Sequence, residues 1–344
     1  MQCRVCSNRR RRAQEMITLR DIAREAGVSA TTVSNVIKGA DKKVSRKTAD
    51  AISAILEREN YIPSMAARVL AGSSSKIICA LHLPPYSSLY GDGAFLAAME
   101  ARVRERGYFL MIRQVSGGKD IEEVCGNWNI DGIIFTGEID DESLRALTRQ
   151  GIPYILTDSG LDGRDAWIAG FADEEGGFIA AKHLLDRGHR RVAFASAPIG
   201  SSTVLRLRLE GFKRALAESG ASDFAFFESM PNEAGVNFGF RLLKKVGASG
   251  IVASTDLLAA ELLSSFCHAG ARVPDDISIV AFGGGYICAL TNPRLTCVRQ
   301  DCAAKGGRAA ETLLGRLSGR KSDGGPNMPP IPVLLVEGGS VQDV

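Results

Sequence analysis

The feature that most constrains the fold is a helix that is broken and restarted near the N-terminus. From Asp21 to Gly39 the chain reads DIAREAGVSATTVSNVIKG. Apolar residues recur at helical spacing on both sides of Ala-Gly-Val, and Gly27 can take the positive φ that ends a helix. Two short helices are therefore predicted, with Ser29 as the N-cap of the second. Because the second helix is rich in Thr and Ser, we expect its outer face to bind a partner and not only to cover a core.

The outer face of that second helix carries side chains of the kinds that pair with the edges of bases. Val33, Val36 and Ile37 are predicted to face inward, which leaves small and amide side chains outside. Asn pairs bidentately with adenine, Thr bonds to bases or touches a thymine methyl, and hydroxyls at a helix N-terminus hold phosphates. The pattern predicts a DNA-binding helix-turn-helix, with an ordinary helical hairpin as the alternative. The candidate DNA contacts in this segment are Thr18, Ser29, Ala30, Thr31, Thr32, Ser34 and Asn35.

The distribution of charge supports a polyanionic partner for the first segment. Residues 1–72 hold 14 Lys+Arg and 7 Asp+Glu, a net charge of +7, whereas the whole chain carries only +3, so the remainder is −4. A solvated surface imbalance would look the same, so charge alone does not decide. Residues 1–16 are predicted to be a basic disordered tail, and Met16 is a second possible start of translation.

The sequence offers no pattern for catalysis, metal binding or membrane insertion. The eight cysteines are scattered, which is typical of reduced thiols in a cytoplasm, and Cys3-x-x-Cys6 has no second pair nearby for zinc. Serine-hydrolase, Walker and zinc-protease motifs are missing. The Arg-rich N-terminus has no apolar h-region, and no apolar run reaches the roughly 18 residues of a membrane span. We expect a cytoplasmic protein that is not an enzyme, with no cofactor and no metal.

A short helix with no core of its own follows the headpiece. Ser45 is predicted to cap a third helix, and Ser64 a helix of under two turns that ends at Ala71. Gly72 and three serines then form a linker. So short a helix is unstable alone in water and needs a partner to fold.

Residues Thr18 to Gly72 resemble the DNA-binding headpiece and hinge of the LacI/GalR transcriptional repressors. The resemblance is carried by TLRDIAREAGVSATTVSNVIKG and VSRKTADAISAILERENYIPSMAARVLAG. In that family the second helix enters the major groove, and paired hinge helices insert a leucine into the minor groove. By this likeness Leu70 is the wedge, and Ala67 lies beside it at the interface. Many members have Arg where this chain has Asn35, so a different operator sequence is expected.

From Lys76 onward, short apolar strands alternate with amphipathic helices. This alternation predicts parallel sheets covered on both faces, in two subdomains with a cleft between them. The runs GGFIAAKHLLDRGHRRVAFA and RLRLEGFKRALAESG resemble the family's effector domain, which is similar to periplasmic sugar-binding proteins. The fold class predicted is an all-α helix-turn-helix headpiece plus an α/β effector domain of two doubly wound parallel-sheet subdomains.

The resemblance also implies domain boundaries. They are a tail over 1–16, a DNA-binding domain over 17–62, a hinge helix and linker over 63–75, and a ligand-binding and dimerisation domain over 76–344. Within the last, the proximal subdomain is expected at about 76–171 and 295–322, and the distal one at about 172–294 and 323–344.

Ligands in such folds bind at the C-terminal ends of strands, inside the cleft. The family places a ligand-binding Arg at Arg208, although a surface Arg is the alternative. Asp158 follows a strand and is either a ligand or a loop cap, and Asp256 is predicted to be a helix N-cap. Sugar-binding members often have Asn at the position of Thr255 and Asp at that of Gly283. The candidate effector contacts are Tyr90, Asp92, Asp158, Arg208, Thr255 and Gly283.

These departures lead to an expectation about the effector's charge. With fewer acids nearby, a buried Arg208 would be unpaired and costly, which favours an anionic effector such as a sugar acid, another carboxylate or a phosphate. In the alternative, Asp92 supplies the carboxylate that binds the hydroxyls of a neutral sugar. We expect a homodimeric repressor that binds a near-palindromic double-stranded operator. Two rivals remain: a small-molecule-binding protein without regulatory DNA binding, and an enzyme fused to a DNA-binding module.

Overall fold

The computed structural model describes ten stretches of the chain and divides it into two compact units between Ser75 and Lys76. The described residues are 17–37, 44–59, 61, 74–83, 93–158, 167–200, 202–220, 224–228, 247–319 and 328–344. Four predicted site residues lie outside them: Ala67, Leu70, Tyr90 and Asp92.

The first unit contains the predicted helix-turn-helix. Helices α1 (Leu19–Glu25) and α2 (Ala30–Ile37) are separated by a turn in which Gly27 has φ 65°, and α3 (Arg46–Arg58) follows. The three helices share a small core, built from Ile22, Ala23, Val33, Ile52 and Ile55. The break after α1 therefore sets α2 at an angle while Val33 still anchors it.

The second unit contains two sheets. The first has the order β2-β1-β3-β4, and its four strands are parallel. The strands are β1 (Ile77–His82), β2 (Phe109–Gln114), β3 (Gly132–Thr136) and β4 (Tyr154–Thr157). The helices packed in this half are α4 (Gly93–Glu105), α5 (Gly118–Asn127) and α6 (Asp141–Arg149).

The second sheet has the order β10-β9-β8-β7-β5-β6, and β10 alone is antiparallel to its neighbour. Its strands are β5 (Val192–Ser196), β6 (Phe224–Glu228), β7 (Gly250–Ala253), β8 (Ser278–Gly283), β9 (Thr296–Arg299) and β10 (Leu334–Val336). Helices α7 (Asp173–Asp186) and α8 (Thr203–Glu218) pack against one face. Helices α9 (Asp256–His268) and α10 (Tyr286–Leu290) pack against the other.

The last long helix returns to the first sheet. Helix α11 (Cys302–Leu317) packs beside α4, and its Ala309, Ala310 and Leu313 share a core with Ile78 of β1. The second part of the proximal subdomain was expected from about 295 to 322, and β9 (Thr296–Arg299) pairs with β8 in the six-stranded sheet. The chain crosses between the two halves after Arg299, since a strand must remain with the ladder that satisfies its backbone.

The predicted fold class is confirmed, with several elements beyond those expected from the sequence. Strands β6, β9 and β10 have no clear periodic pattern in the sequence. All three are short or lie at a sheet edge, where periodicity is weak. Among the helices that the structure describes, none has the length and apolar character needed to cross a membrane.

Candidate DNA-reading surface and effector cleft

The outward face of α2 carries the side chains predicted to read DNA. Ala30 and Thr31 are exposed, and Ser34 and Asn35 are half-exposed, while Val33 is fully buried. Within the described residues, the side-chain amide of Asn35 makes no hydrogen bond. An amide held on a helix whose other face is buried is free to pair with a base edge.

Two of the predicted DNA contacts are also helix caps. The Ser29 hydroxyl accepts from the Thr32 N–H at 3.1 Å and lies 2.9 Å from the Thr32 hydroxyl. At α1, the Thr18 hydroxyl donates to Asp21 at 2.6 Å and accepts from the Asp21 N–H at 3.3 Å. These hydroxyls order the helix ends, so any phosphate they contact would share a group already used for capping.

The effector cleft is defined by the C-terminal ends of the parallel strands in the second unit. Glu138 follows β3, Asp158 follows β4, Ser254 follows β7, and Gln300 follows β9. Because the ends of parallel strands share one edge of each sheet, polar side chains from distant parts of the sequence are brought together there.

Two glycines bring α7 and α8 into backbone contact and so place Arg208. A Cβ on Gly177 would lie 1.9 Å from the carbonyl oxygen of Arg208, and one on Gly211 would lie 1.8 Å from that of Glu174. No larger residue fits at either position without moving backbone. This close approach puts Arg208 of α8 beside Asp173, the first residue of α7.

Arg208 is buried, and each of its three guanidinium nitrogens contacts a protein oxygen. Its Nε and Nη2 each lie 2.8 Å from Asp173 Oδ1, and its Nη1 donates to the carbonyl oxygen of Ser254. The guanidinium lies 4.5 Å from the centre of the Phe282 ring, and Gln300 donates to the same carboxylate oxygen at 3.2 Å. Burial raises the pKa of the Asp173 carboxyl, and the charge of Arg208 opposes that rise.

The pairing of Arg208 removes the reason for expecting an anionic effector. That expectation required a buried guanidinium with no acid nearby, whereas Asp173 is only 5% exposed and binds it directly. An Arg whose charge is already compensated gains little from a second anion. The premise was wrong because Asp173 lies 35 positions away in sequence and meets Arg208 only through helix packing.

Asp158 is paired in the same manner on the other side of the cleft. Its Oδ1 accepts from Lys305 Nζ at 2.7 Å, and its backbone takes the left-handed region, with φ 67°. Lys305 is 5% exposed and lies against the rings of Phe95 and Phe171, at 5.2 and 4.9 Å from their centres. Among the described residues of the cleft, the two buried cations, Arg208 and Lys305, thus each have an internal carboxylate partner.

At the ends of β7 and β8, the structure corrects the predicted N-cap and shows what surrounds the candidate contacts Thr255 and Gly283. The N-cap of α9 is Thr255, not Asp256: the Thr255 hydroxyl accepts from the Leu258 N–H at 3.1 Å. Gly283 has φ 121°, and a Cβ there would lie 2.7 Å from Asp256 Oδ2. The Asp256 carboxylate therefore occupies the space that a side chain at 283 would need.

Several polar residues of the cleft have no signal in the sequence. Asp173 is one of three acids at a helix start, a common pattern in any helix, and Lys305 and Gln300 lie in otherwise ordinary stretches. Among the residues that the structure describes, the buried hydroxyls of Ser196 and Ser254 have no hydrogen-bond partner. Because Ala195 and Ala253 pair in register, Ser196 and Ser254 are the next residues at the ends of neighbouring strands.

A three-helix DNA-binding headpiece and a two-sheet domain with a polar cleft together define a ligand-responsive transcriptional regulator. The family model for bacterial regulatory proteins of the lacI family matches residues 18–64. Models for periplasmic binding proteins and the sugar binding domain of the LacI family, and for a periplasmic binding protein-like domain, match 92–233 and 181–341.

Relatives match over most of their length. The chain is 31% identical over 314 residues to the HTH-type transcriptional regulator GntR of Pseudomonas aeruginosa, covering 88% of this chain and 90% of the relative. It is 29% identical over 321 residues to the HTH-type transcriptional repressor PurR of Photobacterium profundum, covering 90% and 94%. A Lac repressor dimer bound to operator and the anti-inducer ONPF superimposes with a TM-score of 0.81 at 26% identity, covering 95% and 99%. The chain belongs to the LacI family of transcriptional regulators.

Proposed function

We propose that this protein is a homodimeric repressor that binds a near-palindromic operator and is controlled by a small uncharged effector in the cleft. The observation that carries the proposal is the outward face of α2, which presents Thr31 and Asn35 while Val33 anchors the opposite face. The relatives named as repressors and regulators support the same role.

Dimerisation is supported by apolar side chains exposed on the effector domain. Tyr286 and Leu290 of α10 are 87% and 82% exposed, and Leu257 at the start of α9 is 43% exposed. These three side chains lie on neighbouring elements of the six-stranded half. A second copy of the chain is the occupant we propose, because two headpieces are what a near-palindromic operator requires.

The predicted hinge residues Ala67 and Leu70 are also part of the proposal. Leu70 and Ala67 lie outside the described residues, and we propose them as the minor-groove wedge and its neighbour. Leu70→Ala is expected to reduce operator affinity and DNA bending without changing the melting of the effector domain. Unchanged bending in a FRET assay would contradict the wedge.

The effector class follows from the charges of the cleft. Both buried cations are paired, and Glu138 and Asp256 add two further acids near the strand ends. We therefore replace the expected anion by a neutral, hydroxylated molecule. A solved relative carries cellobiose and another carries ribose, which is consistent with this class. The relatives named as transcriptional repressors and regulators support a cytoplasmic regulator that is not an enzyme.

Selection from a random duplex library tests the DNA-binding half. The full-length protein should enrich an inverted repeat, and the affinity for the enriched site should exceed that for a scrambled duplex by about 10³-fold or more. Sedimentation equilibrium should give a dimer at micromolar concentration, and Tyr286→Asp with Leu290→Asp should shift it to monomer. Enrichment of no sequence would contradict the proposal.

A further inference from the structure

Glu138 makes a contact that crosses the cleft. It follows β3 in the four-stranded half, whereas its partner Ser202 is the N-cap of α8 in the six-stranded half. The Ser202 hydroxyl donates to Glu138 Oε1 at 2.8 Å. The contact therefore joins the two subdomains through side chains, in addition to the chain segments that connect them.

The backbone around Glu138 is built to present it in this direction. Gly137 has φ 101°, and a Cβ there would lie 2.6 Å from the carbonyl oxygen of Leu83. Only glycine allows the end of β3 to approach the end of β1 this closely while taking a left-handed conformation. The next side chain, Glu138, then reaches the other half.

The receiving end is the N-terminus of a 16-residue helix. Besides the Ser202 hydroxyl, the backbone N–H groups of Thr203 and Val204 donate to the Glu138 carboxyl and lower its pKa. Burial acts in the opposite direction and prevails, so the pKa is raised overall, and the charge of Asp158 adds to the rise. The first N–H groups of a helix have no acceptor within the helix, so these groups and the helix dipole both favour a carboxylate at this place.

We propose that Glu138 is a latch that holds the two subdomains of the effector domain together across the cleft. It is a positioning residue: it sets how often the cleft opens, and through that equilibrium how easily an effector enters. The inference deepens the proposed control by an effector, since opening and closing of this cleft is the step that an effector would bias.

A set of substitutions in the full-length protein, without DNA or effector, tests the latch. Glu138→Ala removes the acceptor, whereas Glu138→Gln keeps a carbonyl oxygen that the Ser202 hydroxyl and the helix N–H groups can still reach. Glu228→Ala is the matched control: Glu228 accepts from the Ile199 N–H at 3.0 Å in the same loop, but from within the same half.

Two readouts report opening away from the mutated residue. One is the radius of gyration from small-angle scattering. The other is hydrogen exchange of the backbone N–H of Gln300 after β9, which donates to the carbonyl oxygen of Gly283. We expect Glu138→Ala to increase the radius and to speed this exchange about tenfold, as the loss of a charged hydrogen bond implies. The exchange rate in Glu138→Gln should stay within about threefold of the wild-type rate. Glu228→Ala should match wild type in both readouts.

The contradicting result is a Glu138→Ala protein that matches wild type and Glu228→Ala in both readouts. Should Glu138→Ala not fold, Ser202→Ala tests the same contact from the other half, with the same readouts and the same contradicting result. Operator binding by the wild type is measured separately. Its absence would contradict the proposed function alone, because the latch comparison needs no DNA.

Discussion

Helix α2 and the effector cleft use polar side chains in opposite ways. On α2, Thr31 and Asn35 lie on the outer face, and Val33 on the opposite face packs into the small core of the headpiece. In the cleft, Arg208 and Lys305 are buried, and each is bound to a carboxylate of the same domain. The first surface is open for a partner, whereas the second is assembled by the fold. The two regions should therefore respond differently to mutation.

The largest effect is expected where two helices of the cleft touch. Gly177→Ala places a methyl group 1.9 Å from the carbonyl oxygen of Arg208, and backbone must move to accept it. We expect the effector domain to lose more than about 4 kcal/mol, enough to unfold many domains. Gly126→Ala is the control, because a Cβ there meets nothing within 4 Å. Urea unfolding measures both, and equal midpoints would show that the helix contact does not support the cleft.

The second effect separates pairing from simple burial. Asp173→Ala leaves the Arg208 guanidinium buried without its carboxylate and should cost about 3–5 kcal/mol in the free energy of unfolding. Replacing both, by Asp173→Leu with Arg208→Met, should recover a large part of that loss.

A control on α8, the helix that carries Arg208, sharpens this test. Arg206 and Glu210 form an exposed pair at 3.1 Å, so Glu210→Ala should cost no more than about 1 kcal/mol. If Asp173→Ala is as mild as Glu210→Ala, pairing with Asp173 does not compensate the Arg208 charge. The argument against an anionic effector would then fail.

A smaller effect of a different kind is expected on α2. Asn35→Ala should weaken binding to the selected operator by about 1–3 kcal/mol, leave binding to random duplex unchanged, and leave thermal unfolding unchanged. Ser53→Ala, at an exposed position of α3, is the control. Fluorescence anisotropy measures all four affinities. An equal loss on both duplexes would show that Asn35 positions the DNA backbone and reads no base.

The smallest effect concerns the cap of α1. The Thr18 hydroxyl binds the Asp21 carboxylate and lowers its pKa below the ordinary 3.8. Because this pKa is lower when folded, the cap stabilises the headpiece above the ordinary pKa, and its contribution is lost as the pH falls through the lowered value. An NMR titration of the Asp21 amide should show the low midpoint, and Thr18→Ala should raise it. A midpoint unaffected by Thr18→Ala would assign the shift to another group.

The two regions also differ in how far the sequence predicts them. The helix break, Gly27 and the outward residues of α2 depend on neighbours within a few positions, so periodicity and capping predict them. The partners of Arg208 cannot be found this way, because Asp173 and Ser254 reach it from 35 and 46 positions away. Their meeting depends on two glycines that let helices touch, which local patterns do not reveal.

The same reason explains the mistakes at the strand ends. Thr255 and Asp256 are both good N-cap residues, and only the backbone of α9 decides that Thr255 accepts the Leu258 N–H. A missing side chain at Gly283 looked like a missing acid, whereas Asp256 from the neighbouring strand end fills that space. Composition at one position does not determine the chemistry of a site that several strands build.

The central claim is that a small molecule in the cleft controls operator affinity. Sugars, sugar acids, nucleosides and phosphates that shift the melting of the full-length protein should be added to its complex with the selected operator, for wild type and Arg208→Ala. We predict that an uncharged hydroxylated compound changes operator affinity about 5- to 150-fold in wild type and not in the variant, and that its acid form has no effect. A compound that raises the melting temperature through the cleft yet leaves operator affinity unchanged would contradict the account.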